Sequence, residues 1–134
     1  MYAVDPLWEK YRKKRVAEIP DGVKTVTANA ANFELPEKVD LMVSINSLDH
    51  SGDLKHSIDH IRGRVKMGGL FFLHLHLRTK KEFDDIHKMK LTEAMMDDYL
   101  KEWKVLKKDM FKHDFLYNKE KKTPRMFVAL MEKI

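Results

Sequence analysis

The segment Val39–Asn46 most constrains what this chain can fold into. Its central residues, Leu41 to Ile45, are almost continuously apolar, so a strand formed here carries apolar side chains on both faces. A strand of that kind is typical of the middle of a parallel sheet that helices cover on both sides. The sequence therefore predicts an α/β fold with this strand inside its sheet.

The residues that follow complete a strand–helix–strand unit. Apolar residues recur at helical spacing at Leu54, Ile58, Ile61 and Val65. This spacing predicts an amphipathic helix over about Gly52–Lys66. We expect Gly68-Gly69 to end the helix and Leu70–Leu77 to form the next strand, parallel to the first.

The elements at the two ends are predicted from caps and turns. Asp5-Pro6 combines a good N-cap with a proline at the first helical position, and Pro20-Asp21-Gly22 ends that helix. A strand over Val23–Ala28 follows. The C-terminal part is expected to hold three elements: a helix over Thr92–Lys101 and strands over Trp103–Phe111 and Met126–Met131. These strands are joined by Lys119–Pro124 without a helix, which predicts an antiparallel hairpin.

Composition bounds the possible functions. With 134 residues, one domain over 1–134 is expected. The absence of cysteine excludes disulfides, zinc–thiolate sites and cysteine nucleophiles. The longest apolar run is short and no secretory segment is present, so we expect a soluble cytoplasmic protein with no membrane partner. The net charge of +5 is spread along the chain, which favours a solvated lysine-rich surface over a nucleic-acid site.

Several segments resemble class I S-adenosylmethionine-dependent methyltransferases. Val39–His50 is similar to the family's fourth-strand segment, "FDLV…N.LDH", and Arg64–Leu73 is similar to its "VLKPGG" turn, with Met67 in place of the proline. Three more segments match in order: Ala3–Pro6 with the end of the second strand, Asn29–Pro36 with the adenine loop, and Glu82–Glu93 with the entry to the last helix. The resemblance covers almost the whole chain and implies a Rossmann-like sheet, mostly parallel with a C-terminal antiparallel hairpin.

The chain departs from the family at its front. No G-x-G-x-x-G pattern occurs, and no strand precedes Met1–Val4. The resemblance therefore implies an N-terminally truncated domain, whose first strand would lie between the second and fourth. It implies weak binding of S-adenosylmethionine and impaired catalysis. Two alternatives stay open: a non-catalytic module that binds a cofactor or a partner, and a basic protein associated with nucleic acid.

The resemblance also implies cofactor-binding residues. Asp5 is expected at the cofactor ribose, and the other interpretation is that it caps the helix begun by Pro6. Asn29 and Asn32 occupy the adenine position, although an Asx turn explains them more simply. Asn46 and Ser47 follow the buried strand and are expected near the cofactor, because ligands of α/β folds bind at the carboxyl edge of the sheet.

The same edge carries the catalytic candidates. Asp49 and His50 are expected to orient a substrate or to transfer a proton, and the alternative is that Asp49 and Ser51 satisfy amides at the start of the next helix. His74, His76 and Arg78 alternate with leucines and so share one strand face. We expect His76 and Arg78 to line the substrate side. A metal site with Asp49 or His87 as a further ligand is not expected.

The missing strand has a consequence for assembly. Without it, the strand Val39–Asn46 either pairs directly with Met1–Val4 or exposes an apolar edge. We therefore expect a homo-oligomer, most simply a two-fold dimer in which one chain covers the open sheet of the other.

Overall fold

The structure is a computed structural model that describes residues 1–14, 18–78, 90–112 and 125–134. These residues combine helices with strands, and two pairs of strands are parallel, which confirms the α/β class. The elements are β1 (Tyr2–Val4), α1 (Trp8–Lys14), β2 (Lys24–Val26), β3 (Val39–Ile45), α2 (Leu54–Arg64), β4 (Val65–Leu77), α3 (Glu93–Tyr99), β5 (Trp103–Lys112) and β6 (Arg125–Lys133), with a 3-10 turn at Leu48–His50 between β3 and α2.

The strands form two sheets. β1 and β2 pair in parallel, and the other four strands are arranged in the order β3-β4-β6-β5. β3 and β4 run parallel, with Ile45 opposite His74, whereas β6 is antiparallel to both of its neighbours. Parallel strands followed by a C-terminal antiparallel pair were predicted and are confirmed. The predicted connection Lys119–Pro124 lies outside the described residues.

The start of α2 is set by a side chain and its end by the following strand. The Asp53 carboxylate accepts a hydrogen bond of 2.9 Å from the backbone N–H of His56. The helix ends at Arg64, so the prediction that Gly68-Gly69 ends it is wrong: both glycines lie within β4. The pairing of β4 with β3 is irregular here, and a Cβ on Gly69 would lie only 2.7 Å from the Val65 side chain.

The start of α3 is as predicted, whereas α1 begins at Trp8, two residues after the expected Pro6, because residues 6 and 7 form a turn. The Asp5 carboxylate accepts a 2.7 Å hydrogen bond from the N–H of Leu7, ahead of α1. The Thr92 hydroxyl accepts one of 3.3 Å from the N–H of Met95 at the start of α3. β2 is shorter than the expected strand and is confined to Lys24–Val26. The helix α1 is described as far as Lys14, and residues 15–17 of the predicted helix lie outside the described part.

The hydrophobic core lies on one face of the four-stranded sheet. Alternate residues of β4 are buried there, and helices α2 and α3 contribute to the same cluster. The largest fully buried members include Phe71, Leu73 and Leu75 of β4, Ile58 of α2, Met96 of α3 and Phe127 of β6. Burial of these side chains is the main stabilising contribution to the fold.

The opposite face of this sheet is open. Leu41, Val43 and Ile45 of β3 are 54%, 51% and 57% exposed. β3 is also the edge strand of its sheet, so the prediction of a strand in the middle of a covered sheet is wrong for the described residues. The physical reason is that α2 and α3 both contribute to the core on the other face. We call the surface formed by Leu41, Val43 and Ile45 the open face.

None of the helices in the described parts of the chain is both long enough and apolar enough to cross a membrane.

Candidate functional site

A buried carboxylate lies at the carboxyl edge of the four-stranded sheet. β3 and β4 are parallel, so both end at this edge, and the 3-10 turn Leu48–His50 follows β3 directly. The Asp49 side chain in this turn is only 2% exposed. Its Oδ2 atom lies 3.4 Å from Nδ1 of His76, and its Oδ1 atom lies 4.0 Å from Nε2 of His50. The structure therefore brings three of the predicted site residues together.

Burial and the contact with Asp49 together set the protonation state and the tautomer of the His76 imidazole. Burial lowers the pKa of His76 below its ordinary value of 6.5, and the nearby Asp49 carboxylate only partly opposes this effect. His76 is therefore mainly neutral at pH 7. Because a carboxylate can only accept, Nδ1–H of His76 donates to Asp49, which leaves Nε2 as an acceptor.

Asp49 does not cap α2. That position belongs to Asp53, whose carboxylate accepts from the first turn of the helix. The alternative in which Asp49 serves the start of the helix is therefore wrong. The buried carboxylate instead faces the two histidines.

The polar stripe of β4 lies on one face, as its alternation predicts. His74, His76 and Arg78 are half-buried, and the leucines between them are buried. The His74 ring is stacked 6.4 Å from the ring of Phe111 on β5. Arg78 forms two backbone hydrogen bonds with Leu91, of 2.8 and 2.9 Å, which place it close to the start of α3.

The loop after β3 is held by two further contacts. Asn46 has a positive φ of 49°, which asparagine tolerates better than most residues, and its N–H donates to the His74 carbonyl at 2.9 Å. The Ser47 hydroxyl lies 2.9 Å from that of the buried Ser44. Sequence reasoning missed Ser44, although a serine inside an apolar strand was the signal that could have found it. These contacts fix the path of the chain from the end of β3 to the turn that carries Asp49.

The predicted adenosine-binding residues lie around the smaller sheet. Asp5 follows β1, and its N–H donates to Val26 of β2. Asn29 Oδ1 accepts from the N–H of Ala31 at 3.1 Å, and Asn32 Oδ1 accepts from the N–H of Asn29 at 3.2 Å. Both asparagines thus form the local turn that the simpler interpretation predicts.

These residues fit only part of S-adenosylmethionine. The Asp5 carboxylate has acceptor capacity beyond its bond to Leu7, so capping of α1 is compatible with binding ribose hydroxyls. The amide oxygens of Asn29 and Asn32 are already engaged with backbone, which weakens an adenine contact. For the methionine half, the five glycines of the sequence, at positions 22, 52, 63, 68 and 69, provide no glycine-rich loop.

Within the described ranges, no group of three histidine, aspartate or glutamate side chains is arranged to hold a metal ion. His87, named above as a further ligand in the metal interpretation, lies outside the described residues.

Comparison with known proteins identifies the fold. A scan against family models and a search of curated proteins found no match. Solved structures are similar over almost the whole chain. A chain of the Haloferax volcanii complex that contains a methyltransferase activator has a TM-score of 0.72 and 14% identity, over 98% of this chain and 70% of that one.

Two further structures support the same conclusion. The N-methyltransferase NodS from Bradyrhizobium japonicum, solved with S-adenosyl-L-homocysteine, has a TM-score of 0.67 and 10% identity, over 98% of this chain and 65% of that one. An S-adenosylmethionine-dependent methyltransferase from Clostridium acetobutylicum has a TM-score of 0.64 and 17% identity, over 98% of this chain and 74% of that one. The chain therefore has the fold of class I S-adenosylmethionine-dependent methyltransferases, as its motifs predict. It spans 65% to 74% of the length of the three chains just named.

Proposed function

We propose that this chain is a cytoplasmic, S-adenosylmethionine-dependent methyltransferase-like protein in which His76, positioned by Asp49, accepts the proton of the methyl acceptor. The observation that carries the proposal is the buried Asp49 carboxylate 3.4 Å from His76 at the carboxyl edge of the sheet. In α/β folds this edge is where ligands bind. Neutral His76 has its Nε2 atom available as a base.

The roles follow from the geometry. S-adenosylmethionine, when bound, supplies an electrophilic methyl group. The acceptor nucleophile loses its proton to His76 Nε2, and Asp49 stabilises the imidazolium that forms. His50 is the second candidate for proton transfer, because its Nε2 atom lies 4.0 Å from Oδ1, the other carboxylate oxygen of Asp49. Arg78 lies on the same face of the β4 strand as His76, two residues further on. Its positive charge favours a methyl acceptor that is an anion.

Cofactor binding is proposed to be weak and confined to the adenosine half. Asp5 binds the ribose hydroxyls, Asn29 and Asn32 border the adenine, and Asn46 and Ser47 border the cofactor from the end of β3. No glycine-rich loop supports the methionine half. The sulfonium is therefore poorly positioned, and small misplacements already reduce a rate by on the order of 100-fold. The chain alone is proposed to be catalytically impaired.

Calorimetric titration with adenosine, S-adenosylhomocysteine and S-adenosylmethionine tests this proposal. We expect similar, weak affinities for all three, reduced in Asp5→Asn. This variant keeps the helix cap and removes only the charge. Asp21→Asn, at an exposed turn, is the matched control and should bind like the original chain. Low-micromolar binding of S-adenosylmethionine, much tighter than that of adenosine, would show an intact methionine half and contradict the proposal.

The proton-transfer roles need a separate measurement. Since the acceptor is unknown, the test measures the base itself: the reaction rate of His76 with diethylpyrocarbonate, followed by mass spectrometry. Asp49 raises the pKa of His76 and with it the nucleophilicity of the neutral imidazole. At a pH where His76 is neutral in both proteins, it should therefore react faster in the original chain than in Asp49→Asn. His50→Gln should leave this rate nearly unchanged, because His50 contacts the other carboxylate oxygen. Equal rates in all three proteins would remove the role proposed for Asp49.

A second candidate function, a module that binds a partner without catalysis, is favoured by the open face. Three half-exposed apolar side chains in a row, Leu41, Val43 and Ile45, are typical of an interaction surface. The Haloferax volcanii neighbour is itself part of a complex, which supports association. We propose that the chain forms a homo-oligomer, most simply a two-fold dimer joined through this face.

Light scattering at micromolar concentration tests the dimer. Val43→Lys places a charge on the open face and should give a monomer. Val105→Lys, at a similarly exposed position on the other edge strand, should leave the dimer intact. A monomeric original chain would contradict the proposal.

A further inference from the structure

The segment 28–35 leads from the smaller sheet towards β3 and is anchored in the core. Its two asparagines, Asn29 and Asn32, form the turn described above. Both asparagines are exposed, whereas Phe33 is only 2% exposed and belongs to the hydrophobic core. The segment thus keeps its two proposed adenine residues at the surface and is held from the inside through Phe33.

A polar contact from α2 holds the backbone of this segment. His60 Nε2 lies 2.7 Å from the backbone carbonyl of Phe33, 27 residues away along the chain. Because a carbonyl can only accept, His60 Nε2 carries the hydrogen and donates it. The His60 ring also packs edge-on against the Phe33 ring, with 5.0 Å between the ring centroids. One histidine of α2 therefore contacts both the main chain and the side chain of Phe33.

A second contact lies one turn further along α2. The Arg64 guanidinium pairs with the carboxylate of Glu34, the residue that follows Phe33. His60 and Arg64 are four residues apart, so they lie on the same face of the helix. The Glu34 side chain is 72% exposed, and an ion pair as exposed as this contributes little. The hydrogen bond from His60 to the carbonyl of a buried residue is therefore the stronger restraint.

The restraint bears on how the two halves of the proposed site are arranged. The proposed adenosine residues lie around the smaller sheet, and the Asp49–His76 pair lies at the edge of the larger one. Among the described strands, none of the smaller sheet pairs with one of the larger sheet. Val4 and Val26 pack against the core, but apolar contacts are not directional. The hydrogen bond from His60 has a defined direction and so fixes an orientation as well as a distance.

We propose that His60 is a positioning residue for the adenosine half of the site. Its hydrogen bond holds segment 28–35 on α2 and so keeps the turn of Asn29 and Asn32 in one place. This inference rests on the proposed binding of adenosine. Without the donor, the Phe33 carbonyl loses this partner, which is unfavourable in a buried residue and favours states in which the segment leaves the helix.

Three variants separate the hydrogen bond from its surroundings. His60→Leu keeps an apolar side chain beside Phe33 and removes the donor. His60→Gln keeps a donor, because the amide nitrogen of glutamine can replace Nε2 of the imidazole. His56→Leu, at an exposed position one turn earlier in α2, is the matched control.

Calorimetric titration with adenosine measures the effect on the site. We expect His60→Leu to weaken binding about tenfold, and His60→Gln and His56→Leu to bind within about twofold of the original chain. The reaction rate of His76 with diethylpyrocarbonate should be the same in all of these proteins, because the larger sheet is unchanged. An equal loss at His76 would show general destabilisation and contradict a positioning role.

Amide hydrogen exchange tests the positioning without any ligand. The N–H groups of Asn29, Ala31 and Asn32 are hydrogen-bonded within the turn, so their exchange reports its opening. We expect faster exchange at these three residues in His60→Leu, with exchange along β4 unchanged. His60→Gln should restore the original rates.

Other results would overturn the proposal. These are unchanged exchange in the turn of His60→Leu, an equal loss in His60→Gln, and an equal effect of His56→Leu. Exchange that is faster throughout β4 as well would assign His60 to overall stability instead. Absence of adenosine binding by the original chain would contradict the proposed cofactor site, whereas the exchange measurement tests the role of His60 independently of it.

Discussion

His76 Nδ1 lies 3.4 Å from Oδ2 of Asp49, across the ends of two parallel strands. The carboxylate is buried, and the imidazole is half-buried and mainly neutral. This arrangement gives the histidine a defined tautomer and a fixed orientation. A positioned neutral imidazole at the ligand edge of an α/β sheet is suited to accept a proton.

The pKa of His76 is predicted to fall further in Asp49→Asn. The Asp49 carboxylate raises this pKa by its charge and by a hydrogen bond, and it partly opposes the effect of burial. The substitution keeps the shape of the side chain and removes the charge. Titration of His76 by nitrogen-15 NMR measures the change. Asp53→Asn, which keeps the α2 cap, should leave the His76 pKa where it was, and a rise in Asp49→Asn would contradict the assignment.

Stability is predicted to fall as the pH drops below about 6.5. The pKa of His76 is lower in the folded chain than its unfolded value of 6.5, so the unfolded chain binds more protons in this range. The free energy of unfolding therefore rises with pH there, and the stabilisation is lost as pH falls. Urea denaturation at about pH 7.5 and about pH 5.5 measures the slope.

The matched variants isolate the contribution of His76. His76→Gln should flatten the slope, because glutamine does not titrate. His56→Gln, at an exposed position in α2, should leave the slope unchanged. An equal slope in the original chain and His76→Gln would show that other groups produce it.

Gly69→Ala is predicted to destabilise the fold by about 1 to 3 kcal/mol. A Cβ at this position would lie 2.7 Å from Val65 Cγ1 and 2.9 Å from the backbone carbonyl of Lys66, which cannot move easily. Gly63→Ala is expected to have the opposite effect and to increase the free energy of unfolding. Its Cβ meets nothing within 4 Å, and alanine is a better helix former by about 1 kcal/mol. The midpoints of thermal or urea unfolding should shift in opposite directions in the two variants, relative to the original chain.

Asp53→Ala is predicted to reduce the free energy of unfolding by about 1 kcal/mol. The variant loses the carboxylate that accepts from the His56 N–H at the start of α2. Asp53→Asn should be nearly as stable as the original chain, since asparagine is an equally good N-cap. If Asp53→Ala unfolds at the same urea concentration as the original chain, the cap contributes nothing measurable.

Local patterns of the sequence determined most of the elements. The helical spacing of Leu54, Ile58 and Ile61 predicts α2, and the alternation in Leu70–Leu77 predicts the buried and polar faces of β4. Thr92 predicts a helix start that the structure confirms, and Asp5 predicts the turn that leads into α1. These features depend on neighbouring residues, whose spacing along the chain fixes which side chains share a face. Sequence alone also placed Asp49 and His76 on the same edge of the sheet.

Only the tertiary structure decided which of these residues meet. Asp49 and His76 are 27 residues apart, and their contact exists because β3 and β4 are adjacent, parallel and in a particular register. The position of β3 was likewise not readable from its apolar residues. The same run of side chains is compatible with a covered central strand or an exposed edge strand, because the pattern records hydrophobicity and not which neighbours are present. The structure places β3 at the edge, since α2 and α3 pack on one face and the described strands pair with it on one side.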